Sequence, residues 1–134
     1  MTNLSAVASS APAAKKIYQC ILGFNMTLHL VVGLMCMFVP DFVSRTLHLP
    51  PPVPTGWIIG WGATLILVTA LYIPGLRDPI GTRYPNVCGI LGRIWMATVW
   101  FVIGGGYFYM GCFDLFWAAV LAFFYWRLLK STTA

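Results

Sequence analysis

The chain predicts an all-α, polytopic membrane protein, with four transmembrane helices in one bundle and both termini on the same side. Three observations carry this expectation. Of its 134 residues, 60% are hydrophobic, 16% aromatic and only 8% charged, and mean hydropathy is +0.83, so there is too little polar surface to clothe a water-soluble globule. The apolar residues gather in four runs long enough to cross a bilayer. Among the eight Lys and Arg residues, Lys15, Lys16, Arg77, Arg83, Arg93, Arg127 and Lys130 then fall at or near one face, with Arg45 alone on the other. The preference of Lys and Arg for the cytoplasmic side makes both termini cytoplasmic in a bacterial inner membrane. The formal net charge of +5 does not point to nucleic acid, because the basic residues stand at segment ends and form no stripe.

Residues 1–14 are Ala/Ser-rich and read as a mobile tail ahead of Lys15 and Lys16. A cleaved signal is not expected, because the apolar run that follows is longer than a signal core and ends in Pro40 and Asp41. The membrane domain covers 15–130. Its first span, 17–39, is about 35 Å long as a helix, more than the hydrocarbon core requires. The outer connection 40–56 opens with a segment, Asp41 to His48, suited to a short interfacial helix with Asp41 and Arg45 paired at i,i+4. Pro50, Pro51, Pro52 and Pro54 then keep the chain extended and stiff.

The second span, 57–76, is bounded by Gly56 and by Pro74 and Gly75. The third, 86–107, follows Pro85 with Asn86 as N-cap, and Gly104, Gly105 and Gly106 break its outer end. The fourth, 113–129, is near the lower limit for spanning, and 131–134 form a short tail. Aromatic residues support the same frame. Trp57, Trp61, Tyr107, Tyr109 and Trp117 are expected at the outer interface, and Tyr18, Tyr72, Tyr84, Tyr125 and Trp126 at the inner one. A short echo between Cys20-Ile21-Leu22-Gly23 and Cys88-Gly89-Ile90-Leu91-Gly92 hints at two parallel helix pairs, with Asp41-Phe42 and Asp114-Leu115-Phe116 beyond them.

Few groups carry chemistry. Cys20, Cys36, Cys88 and Cys112 lack zinc or thioredoxin spacing and read as small hydrophobes; similar outer depth leaves a Cys36–Cys112 disulfide open. His29 lies near the middle of the first span, where a charged group is costly. Asn25, His29 and Gly33 share one helical stripe that should face the bundle interior. His29 is either a neutral imidazole bonded to Thr64, Thr69 or Thr98, or a metal, haem or quinone ligand or a proton-relay group. Arg93 lies about 10 Å inside the third span. It either reaches back to the interface or binds Asn25, Asp78 or an anionic headgroup. Gly92 beside it suggests a close helix approach, as do Gly60 and Gly62. Trp95, Trp100 and Trp126 read as packing and interface residues.

A first span ending in Phe38-Val39-Pro40, a Pro-rich outer connection, a Gly-rich second span and an Arg shortly inside the third resemble small bacterial four-helix membrane proteins of the DoxX-like kind over most of 17–130. That resemblance implies a membrane partner of a quinone-linked oxidoreductase and brings no catalytic residue. Small size, few embedded ionisable groups and abundant small and aromatic contact residues make the leading expectation a non-catalytic accessory subunit of a larger inner-membrane complex, energy-transducing or oxidoreductase in kind. Its partners would be other membrane subunits, copies of itself and lipids, and no nucleic acid. The alternatives are a redox subunit holding haem or quinone near His29, Asn25 and Arg93, and a small oligomeric transporter. The transporter is disfavoured because this reading puts Asp41, Asp78 and Asp114 at span ends, leaving no embedded carboxylate to couple proton movement.

Overall fold

The computed structural model describes the backbone of residues 4–133 and side chains from residue 12 onward. It is all-α: α1 (Leu4–Phe38), α2 (Pro40–Thr46), α3 (Gly56–Arg77), α4 (Arg83–Ile103) and α5 (Tyr107–Thr133). Four of these helices, all but the short α2, are long and apolar enough to cross a membrane. The expected tail lies partly outside the described residues; from Leu4 it forms the start of α1, in keeping with the helix propensity of its alanines. Tyr18, Leu76, Asn86 and Tyr125 gather at one end of the bundle, so the start of α1 and the end of α5 share one face, here called the terminal end, opposite the loop end that carries α2.

α1 packs on α3 and α5, α5 packs on α4, and α3 and α4 touch only thinly. The buried positions of α1 are Tyr18, Leu22, Asn25, Met26, His29, Gly33 and Cys36, an i, i+3, i+4 stripe that turns one face inward. α5 does the same with Gly111, Ala118, Leu121, Tyr125 and Leu128. Near the terminal end Tyr18, Leu22, Met26, Tyr72, Leu121, Tyr125 and Leu128 form one apolar cluster. Near the loop end Cys36, Val43 and Ile58 form another.

Small residues set the α1/α3 crossing. A Cβ on Gly33 would lie 2.8 Å from the Gly62 carbonyl oxygen, and one on Gly62 would lie 2.6 Å from that of Gly33. Only bare backbone on both sides permits this approach. Gly60, expected to help, has open space around it instead.

The turn between α3 and α4 is held by side chains that serve carbonyls left free at the helix end. Asn86 accepts from the Tyr18 hydroxyl at 2.9 Å and donates to the Gly75 carbonyl at 3.2 Å. Tyr125 donates to the Pro79 carbonyl at 3.1 Å, and Gln19 to that of Leu76 at 2.8 Å. Asn86 is thus not the N-cap. That position is Thr82, which leaves Asn86 inside the first turns to stitch three helices together. Tyr18, Tyr72 and Tyr125 are correspondingly buried in the core.

At the loop end α4 stops where Gly104 and Gly105 take φ of 73° and 59°, a region that favours glycine. The helix therefore ends at Ile103, before the expected boundary at 107. α5 starts at once at Tyr107 and has 27 residues, so the fourth span is not marginal in length. The expected short helix forms as α2, with Phe42 exposed. Asp41 and Arg45 make no ion pair there; among the described residues only Arg93 and Asp114 do.

Candidate functional site

Between the two apolar clusters lies a polar one. Arg93 on α4 is 4% exposed, so it does not reach back to the interface. Its Nη1 donates to Asp114 Oδ1 on α5 at 2.7 Å. Its Nη2 donates to Asn25 Oδ1 on α1 at 2.7 Å and also contacts His29 Nε2. The Trp100 indole completes the set by donating to Asp114 Oδ2 at 3.0 Å. An ion pair so placed satisfies charges that lipid would not tolerate singly, and the planar guanidinium suits three partners at once.

The sequence stripe of Asn25, His29 and Gly33 does face inward, and Arg93 does meet Asn25. Other expectations are corrected. Asp78 is not a partner of Arg93; its carboxylate accepts from the Gly81 amide at 3.1 Å. Thr64, Thr69 and Thr98 each bond a carbonyl of their own helix, so none serves His29. Asp114 is embedded in the bundle, 15% exposed, because α5 begins well before it. Trp100 belongs to the site and is not packing alone. Of the cysteines only Cys36 is buried; Cys20, Cys88 and Cys112 are exposed, and all four are free thiols, which removes the Cys36–Cys112 disulfide.

The thin α3/α4 seam opens into a cavity of ≈ 760 Å³ that reaches this cluster. It runs along α3 from Trp61 to Pro74, about 20 Å at the helical rise. Its walls are chiefly apolar, with Val68, Leu71 and Met96 among them; His29, Tyr72, Arg93 and Asp114 line it at the cluster, and Thr64, Tyr84 and Tyr109 line it elsewhere. That combination, an apolar slot with a few convergent polar groups, is the usual form of a small-molecule site. Gly92 lines it, and a Cβ there would meet nothing within 4 Å; this glycine widens the cavity and does not bring helices together. Gly89 instead accepts the Tyr72 ring against its backbone. At the loop end Trp61 and Trp100 meet edge to face at 6.2 Å, and Trp100 stacks on Tyr107 at 5.2 Å.

Comparison with family models, curated proteins and solved structures finds no match. The chemistry of the site therefore rests on its own residues. Among the described residues no three His, Cys, Asp or Glu side chains gather to hold a metal. Haem fits this geometry poorly, because the Nε2 of His29 already faces the Arg93 guanidinium and iron would have to displace it. A quinone fits better: a flat polar head against His29, Tyr72 and Arg93, with its apolar tail along α3 and α4.

Proposed function

We propose that the protein is a non-catalytic, membrane-embedded binding subunit that holds an apolar molecule with a compact polar head in the α3/α4 cavity. The quinone class is the leading candidate, and an oxidoreductase assembly of the bacterial inner membrane is the setting. One observation carries the reading: a ≈ 760 Å³, chiefly apolar cavity that has the Arg93–Asp114 pair in its wall. The DoxX-like pattern of Gly, Pro and Arg supports the quinone-linked setting. The concentration of Lys and Arg at the terminal end supports a cytoplasmic placement of both termini.

The test is extraction into lipid nanodiscs without detergent, followed by mass spectrometry of bound lipophilic molecules. Wild type is compared with Gly92→Leu, which fills the cavity where there is free space. Wild type is expected to enrich one apolar species, and Gly92→Leu to lose it by about tenfold or more. Equal lipid content in both proteins would sink the reading.

Embedded Asp114 favours a second reading, the small transporter, whose main objection was the lack of such a carboxylate. Substrate-dependent proton flux in liposomes, abolished by Asp114→Asn, would support transport; flux indistinguishable from empty liposomes would end it.

A further inference from the structure

We infer that the cavity is loaded sideways, from the hydrocarbon of the bilayer, through a window between α3 and α4, and that its ligand is therefore a neutral molecule dissolved in the membrane. This entrance rests on the binding reading above and adds where the ligand comes from and what kind of head it can carry.

The window has a frame. Toward the loop end the Trp61 and Trp100 rings meet across the seam at 6.2 Å. Toward the terminal end the Tyr72 ring of α3 lies on the Gly89 backbone of α4. Trp61 to Tyr72 and Gly89 to Trp100 are each eleven residues apart, so the opening between the two bridges is about 16 Å tall on both helices. Within it Thr64 on α3 and Gly92 on α4 are exposed and line the cavity. A Cβ on Gly92 would meet nothing within 4 Å, so the gap stays open at that rim.

The frame lies well inside the membrane. α3 continues five residues beyond each bridge, to Gly56 and to Arg77, which is about 7 Å at either end. Around the window Leu67 and Leu71 on α3, and Leu91 and Trp95 on α4, are each more than half exposed. Apolar side chains at that depth of a spanning helix face lipid tails, which are as apolar as they are. Thr64, the polar residue on the rim, returns its hydroxyl to the Gly60 carbonyl at 2.9 Å and so shows lipid no unpaired donor.

A ligand passing this rim comes to a cavity with Arg93 and Asp114 in its wall. Carrying an ionised head from the interface to that depth is strongly unfavourable. The Arg93 and Asp114 charges already offset each other, so no net charge is left to compensate a charged head. A neutral head meets no such barrier.

The experiment uses full-length protein in nanodiscs, with a nitroxide at Thr64→Cys or Gly92→Cys on the two rims, or at Val53→Cys on the loop, each in a cysteine-free background. Relaxation by oxygen, which partitions into lipid, is compared with relaxation by a water-soluble nickel chelate. Both rim labels should favour oxygen, and Val53→Cys the chelate. A tetrasubstituted benzoquinone with a decyl chain should then lower oxygen access at both rims. Its ring-sulfonated analogue, with the same chain and an ionised head, should need at least about tenfold more for the same effect. The neutral quinone is also titrated by tryptophan quenching of the unlabelled wild type, where Trp61 and Trp100 line the cavity.

Chelate access at the rims equal to that at Val53→Cys would overturn entry from lipid, and equal potency of the two quinones would overturn the neutral head. Unshielded rims beside saturable quenching would overturn the window and leave the binding reading standing. Unshielded rims without saturable quenching would overturn both.

Discussion

Asp114 sits 2.7 Å from Arg93 across the α4/α5 interface, and each is the other's counter-charge in a region where neither could stand alone. Arg93→Ala should therefore lower stability by roughly 3–5 kcal/mol, because it leaves Asp114 buried and unpaired. The double change Arg93→Met with Asp114→Leu should recover most of that loss, since it removes both charges and keeps the volume. Thermal unfolding of the purified proteins in one mild detergent checks this; a double variant as unstable as the single one would contradict it.

The glycines of α3 differ in what they face, and the difference can be measured. Gly62→Ala puts a methyl against the Gly33 carbonyl and Cys36, and should destabilise by about 1–3 kcal/mol through overpacking. Gly60→Ala meets open space and should be neutral or stabilising by up to about 1 kcal/mol. Melting temperatures of the pair, measured side by side, should move in opposite directions or at least separate clearly.

Asn86 holds the Tyr18 hydroxyl and the Gly75 carbonyl. Asn86→Ala strands both and should cost on the order of 2 kcal/mol, whereas Tyr18→Phe removes one donor and should cost less. Hydrogen exchange of the 78–82 turn offers a local readout, with faster exchange expected in Asn86→Ala than in Tyr18→Phe.

Orientation can be read with a membrane-impermeant maleimide on a cysteine-free background. Val53→Cys, at a position 82% exposed on the loop end, should label in intact spheroplasts. Thr132→Cys at the terminal end should label only after permeabilisation. The reverse pattern would place the termini outside.

The spans were legible in the sequence because hydropathy is averaged over many residues, so small boundary errors do not matter. The stripe of Asn25, His29 and Gly33 was legible too, since one helix period fixes it. The ion pair was missed through a boundary. With the fourth span started at 113, Asp114 looked interfacial, whereas α5 starts at Tyr107. A signal was present: Arg93 lies eleven residues before Gly104, and Asp114 eight after Gly106, so folding the chain back at those glycines brings the two to comparable depth. The role of Gly92 was not legible at all. A glycine that admits a neighbouring helix and one that leaves a void look alike until the neighbours are in place.

Arg93 and its partners lie on three separate helices, which fixes an order of events during synthesis. α1 enters the membrane with Asn25 and His29 bare, and α3 can join it through Gly33 and Gly62 without touching that polarity. α4 then arrives bearing a positive charge whose carboxylate follows it into the membrane on the next helix. Only α5, the last helix made, supplies it. A chain cut short before Asp114 would keep the Arg93 charge without its counter-charge, so the bundle is electrically complete only when its last helix is in place.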